Sequence, residues 1–211
     1  MLWAAGAFAL CMLVCLPLFM RYKRQMNYRL AASYKAIGTL CAAALALTAA
    51  IRLDPRCWIC FAGVLLHATA DWFLEFNIFV GTGLFMAGHI CYIAFFTQLV
   101  PPGPLHLICT LILIAVTAYM FFRWRKEIGK IISLYAVYGG ILCLMSGCAI
   151  ACLSAGTLQG QLIAAGGALF YISDAMICAR QLFTADRSVD WTIMILYYMA
   201  QFLISFSCLM M

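Results

Sequence analysis

The sequence predicts an all-α, polytopic membrane protein, a transmembrane helical bundle of about eight spans forming a single integral membrane domain over residues 1–211. Two observations carry that reading. Only 9% of the residues are charged, 67% are hydrophobic and the mean hydropathy is +1.05, whereas a soluble domain is roughly a quarter charged. Apolar runs of about 18 to 25 residues also recur along the whole chain, the length a helix needs to cross about 30 Å of hydrocarbon. A membrane barrel would need shorter, alternating segments, and the sequence has none.

The elements follow in order. The first span, 2–20, has no basic region before it and no small-residue cleavage site after it, so it reads as a retained helix. Arg21, Lys23, Arg24 and Arg29 separate it from span 31–51, which carries Lys35. Asp54-Pro55 breaks the chain before span 57–75, with His67, Asp71 and Glu75. Span 79–99 holds His89 and Tyr92; its Gly81-Thr82-Gly83 follows no strand and is no dinucleotide fingerprint. Pro101-Pro102-Gly103-Pro104 precedes span 105–122, and a basic stretch leads to span 131–153. Span 160–181 carries Asp174, and Asp186-Arg187-Ser188 introduces span 191–210 with Tyr197, Tyr198 and Gln201. Gly139-Gly140 and Gly166-Gly167 read as close helix contacts. The linkers are too short for a soluble domain.

The net charge of +6 sits in short clusters between spans. That pattern marks orientation and contact with anionic headgroups, and no soluble basic domain exists to hold nucleic acid. Arg21, Lys23, Arg24, Arg29, Arg123, Arg125, Lys126, Lys130, Arg180 and Arg187 follow odd-numbered spans, against Arg52 and Arg56 after even ones. The asymmetry predicts odd-numbered loops in the cytoplasm and both termini on the far side. The twelve cysteines are scattered through apolar runs as small core residues. Cys57 and Cys60 form a lone C-x-x-C without a second pair at zinc spacing.

Ionisable groups inside a membrane are costly and survive mainly where they function. Asp71, Asp174 and Lys35 are expected in the same leaflet half as Tyr197 and Tyr198, with Lys35 about one turn inside its span and His89 nearer the midplane. The bland alternative pairs the aspartates with Lys35 or Arg180. His67 lies four residues before Asp71 on the same helix face and is expected to orient it. Glu75 continues that face toward the headgroups, and a His67, Asp71, Glu75 metal site would lack a full ligand set. Asp71-Trp72 and Asp174-Ala175 stand four spans apart at similar depth, a hint of a parallel duplication.

Four stretches resemble the YhhN-type membrane family, which includes the lysoplasmalogenases. They are Gly83-Leu84-Phe85 through His89-Ile90-Cys91-Tyr92-Ile93, Ala168 through Ser173-Asp174, Tyr197-Tyr198-Met199-Ala200-Gln201, and Asp71 itself. The resemblance covers roughly residues 30 to 206. The family often has Lys-Pro and Gly-Asp where this chain has Lys35-Ala36 and Ala70-Asp71. What it implies is hydrolysis of the vinyl ether of lysoplasmalogens, with Asp71 and Asp174 catalytic and no metal or organic cofactor. Lys35, His89, Tyr92, Tyr197, Tyr198 and Gln201 would then bind the substrate, a lysophospholipid drawn from the bilayer. One aspartate must act protonated and the other ionised; the residues leave the division open, with Asp174 preferred as acid. The rival reading is a small transporter or lipid-binding protein using the same carboxyls. Oligomeric state is left undetermined. The implied location is the cell membrane of a bacterium or the endoplasmic reticulum of a eukaryote.

Overall fold

A computed structural model describes residues 2–124, 132–183 and 187–211. Arg125, Lys126, Lys130 and Asp186, used above in placing loops, lie outside the described residues. The described residues form eight helices and no strand: α1 (Leu2–Arg24), α2 (Tyr28–Arg52), α3 (Cys57–Phe73), α4 (Ile78–Leu99), α5 (Pro104–Arg123), α6 (Ile132–Ala151), α7 (Leu158–Leu182) and α8 (Arg187–Ser207). Seven are long and apolar enough to cross a membrane. The exception is α3, with 17 residues. At 1.5 Å per residue it spans about 26 Å, just short of a typical hydrocarbon core. It stops at Phe73, two residues before the expected end, because the chain turns at Leu74–Phe76 so that Asn77 can cap α4.

Local chemistry sets the boundaries. Pro17 has no N–H and its ring crowds the carbonyl of Leu13, so α1 widens into a π turn over Cys11–Cys15. Asn27 caps α2 by accepting from the Leu30 N–H, and Asn77 accepts from Phe79 and Val80 at the start of α4. Pro104 opens α5 where its missing N–H costs nothing. Gly156, at φ 64°, ends the 3₁₀ turn after α6 before Thr157 caps α7. Outside the spans, the Arg56 guanidinium clasps Asp54 and holds its carboxyl below the usual range.

The helices alternate in direction. Lys23 at the end of α1 pairs with Glu75 after α3 at 3.1 Å, and Trp124 after α5 meets Phe183 after α7. At the other end, Arg56 reaches the Gln98 carbonyl and Gln159 the Ser207 carbonyl. In cross-section α2 packs on α3, α3 on α4, α4 on α6, α6 on α7, α7 on α8, and α8 returns to α2. Six helices thus close a ring, with α1 outside against α2 and α5 outside against α6. Only 11% of the apolar window of α5 is buried, against 61% for α8, which places α5 at the lipid-facing rim. The order repeats after four helices, as a parallel duplication requires, and it sets Asp71 on α3 and Asp174 on α7 in corresponding places.

Small residues let the ring close tightly. Ala31, Ala42, Ala46 and Ala49 of α2 are fully buried. A Cβ on Gly63 would lie 2.8 Å from the Tyr92 ring and 3.1 Å from the Gly88 carbonyl, so α3 and α4 meet at two glycines. Gly166 is equally tight, a Cβ there falling 2.7 Å from Ile204. Gly139-Gly140 is not such a contact: a Cβ on Gly140 meets nothing and one on Gly139 makes ordinary contact with Thr117, because α5 lies further off. Gly88→Ala is therefore expected to destabilise the bundle by about 1–3 kcal/mol through overpacking. Gly83→Ala, which meets nothing within 4 Å, is the control. Thermal unfolding in detergent reads the difference, and equal melting would refute the α3–α4 contact.

Candidate functional site

Asp71, two residues before the end of α3, is fully buried yet surrounded by donors. Its Oδ2 accepts from Thr39 Oγ1 at 2.5 Å and from the Tyr197 hydroxyl at 2.7 Å. Lys35 Nζ stands 3.2 Å from Oδ1, with the lysine side chain 12% exposed and the aspartate 0%. Lys35 and Thr39 are one helical turn apart on α2, so one face of that helix supplies both. A positive charge and two hydroxyls around one carboxyl suit the ionised form.

Behind Tyr197 the polar contacts continue through Gln201, one turn further along α8. Its Nε2 donates to the Tyr197 hydroxyl at 3.1 Å and to His67 Nδ1 at 2.9 Å, while its Oε1 accepts from Tyr92 at 2.5 Å. With Nδ1 accepting, His67 carries its proton on Nε2, which lies 3.3 Å from the Phe85 carbonyl and donates there. The donors and acceptors on Gln201 are thereby used in a consistent sense. Such a satisfied buried network fixes the rotamers of its members.

Asp174 lies eight residues before the end of α7, about two turns in. The Tyr138 hydroxyl of α6 donates to its Oδ2, and the same hydroxyl is 3.2 Å from His89 Nε2. Among the described residues no ion pair involves Asp174. The two aspartates therefore sit in different surroundings: one is paired and doubly donated, the other met, among the described residues, by a single tyrosine.

Both carboxyls line one cavity of about 180 Å³, together with Lys35, Tyr138 and Tyr197. The rest of its wall is mainly apolar, from Phe85 of α4, Met120 and Phe121 of α5, Leu142 of α6 and Met194 of α8. Leu74 and Trp124 place one end of the cavity at the helix termini where α3 and α5 finish. A void of about 150 Å³ accommodates benzene. This one has room for a reacting group and a few carbons, not for a whole lipid.

The expected residues divide into three sets. Asp71, Asp174, Lys35 and Tyr197 meet at the cavity wall. His89 and Gln201 are fully buried one contact behind it, and Tyr92 is buried one contact further back, against Gln201. Tyr198 turns away, its hydroxyl donating to the Lys35 carbonyl at 3.0 Å beside Gly38. Lys35 is about two turns inside its helix, not one, because the Asn27 cap starts α2 at Tyr28. His67 makes no hydrogen bond to Asp71 among the described residues; its polar link to that carboxyl runs through Gln201 and Tyr197. Glu75 is held by Lys23, and Arg180 pairs with Asp190 at 2.9 Å, leaving neither for the aspartates. Among the described residues no three His, Cys, Asp or Glu side chains converge as a metal site.

Thr39 and Tyr138 escaped the sequence reading. The i+4 relation to Lys35 pointed to the first. The repeated packing pointed to the second, since α6 faces Asp174 as α2 faces Asp71.

No curated protein and no solved structure gives a match to the chain. The profile of the YhhN family does match, over residues 30–208, which takes in α3 and α7 and every residue described in contact with Asp71 and Asp174. With nearly the whole ring inside that match, the chain belongs to the YhhN family.

Proposed function

We propose that the protein is a lysoplasmalogenase, a membrane-embedded hydrolase that cleaves the vinyl ether of lysoplasmenylcholine or lysoplasmenylethanolamine. Family membership is consistent with a hydrolase. The observation that carries the reading is the pair of unlike carboxyls on the wall of one mainly apolar cavity. A vinyl ether is cleaved by protonating its outer carbon, which leaves an oxocarbenium ion. Water adds to the carbon bonded to oxygen, and the resulting hemiacetal breaks into a fatty aldehyde and the glycerol hydroxyl of the headgroup fragment. The first step needs a carboxylic acid. The second needs a carboxylate that takes a proton from water and steadies the cation.

The surroundings of the two carboxyls support a division of roles. Asp71, with Lys35 at 3.2 Å and hydroxyls from Thr39 and Tyr197, is the carboxylate and general base. Asp174, with one donor and no ion pair among the described residues, is the acid. Lys35 serves Asp71 first and contacts substrate only from its small exposed part. Because the cavity is too small for the whole lipid, the distal tail stays in the bilayer and the headgroup sits toward the helix ends near Leu74. The basic residues near that end, including Arg29 and Arg123, support a cytoplasmic position for it. The membrane is the cell membrane in a bacterium and the endoplasmic reticulum in a eukaryote.

The test is incubation of the purified protein with lysoplasmenylethanolamine and, separately, with an acyl lysophospholipid, measuring aldehyde and fatty acid independently. Aldehyde release alone supports the proposal. Fatty acid release would replace it with an acyl hydrolase, and release of neither would favour transport or lipid binding.

A further inference from the structure

Tyr138 and His89 stand in a geometry that the two-carboxyl reading leaves unused. The single Tyr138 proton goes to Asp174 Oδ2. His89 Nε2, 3.2 Å from the same hydroxyl, must then be the protonated nitrogen and donate to it. His89 is fully buried, and its Nδ1 has no partner among the described residues. The ring is held instead by aromatic faces: Phe170 at 4.9 Å and 81°, and His67 at 4.8 Å and 67°. A buried histidine with one nitrogen left unmet has only its Tyr138 contact to fix its tautomer. The order of contacts is His89 to Tyr138 to Asp174, each donating to the next.

We propose that Tyr138, itself held by His89, is the positioning residue for Asp174: by occupying Oδ2 it leaves Oδ1 as the oxygen that carries the acid proton toward substrate. Among the described residues no donor meets Oδ1, and Asp174 lines the cavity. Without this tether the carboxyl would rotate about its terminal torsion, which is soft, and present either oxygen. His89 accordingly acts through Tyr138 and not on the lipid. The inference rests on the hydrolase reading for its kinetic consequence but not for its geometry.

The experiment combines kinetics with infrared spectroscopy of the Asp174 carboxyl, its band identified by disappearance in Asp174→Asn. Tyr138→Phe is expected to lower kcat about ten- to a hundredfold, the weight of one hydrogen bond to an ionisable group, with little change in KM. The carboxyl band should move as well. His89→Gln, whose amide N–H can still donate to Tyr138, should keep the band and most of kcat, whereas His89→Leu should behave like Tyr138→Phe. An unmoved band in Tyr138→Phe, or an unchanged kcat, overturns the proposal. So does a His89→Gln variant as impaired as His89→Leu. If Tyr138→Phe cannot be purified folded, the two His89 variants decide alone. Should the wild-type protein release no aldehyde, the hydrolase reading falls while the band shift still tests the tether: movement upholds it and constancy overturns it.

Discussion

Asp174→Asn is expected to cut aldehyde release about a hundred- to ten-thousandfold, the usual worth of a general acid, while the protein stays folded in the membrane. The asparagine carbonyl can still accept from Tyr138, so the contact between α6 and α7 survives. What is lost is the ionisable proton, and no neighbouring group replaces it: Tyr138 is too weak an acid, and His89 lies behind Tyr138. KM should change little, because the amide has the shape of the carboxyl it replaces. Steady-state kinetics on lysoplasmenylethanolamine, with size-exclusion and thermal unfolding as folding checks, measures both. A variant with near-normal kcat would remove Asp174 from the chemistry, and a variant that fails to fold would make it a packing residue.

The legibility of this chain was uneven for physical reasons. Apolar runs of membrane length are a strong signal because a bilayer tolerates few alternatives, so the number and order of helices followed from composition. The short α3 did not stand out, because Leu74 and Phe76 extend its hydropathy although the backbone has already turned. The acids were conspicuous for the same reason the helices were: each is an exception to apolarity. Tyr138 and Thr39 were not exceptional in type, and only helix-to-helix registration gives them meaning. Gln201 and Tyr92 were noticed as polar residues beside substrate, yet they form a second layer that fixes Tyr197 and His67. The closed ring, with α4 against α6 and α8 against α2, was foreshadowed only by the weak likeness between the two aspartate segments. Loop lengths say nothing of which distant helices meet.

Asp71→Asn tests the other half of the site, and here stability and activity should separate. The substitution leaves the Lys35 ammonium, 12% exposed, without its partner inside the bundle. Removing one member of a buried ion pair costs about 3–5 kcal/mol, so the single variant should unfold at markedly lower temperature as well as lose turnover. In Lys35→Met/Asp71→Asn both charges go, and the lysine stem is replaced by an apolar side chain of similar length. Stability should then return close to wild type, since replacing a buried pair by apolar groups is often neutral. The Thr39 and Tyr197 hydroxyls can still donate to the asparagine carbonyl. Turnover should not return, because the carboxylate assigned to take a proton from water is gone. Thermal unfolding in detergent and aldehyde release, measured on both variants, separate the roles. If the double variant regained activity, Asp71 would be a structural counterion for Lys35; if it stayed as unstable as the single one, the ion pair would not be what the fold depends on at this position. Stability recovered with activity still absent is the outcome in which the Asp71–Lys35 pair serves the chemistry and not the fold alone, with Lys35 as the charge that keeps Asp71 ionised inside the bundle.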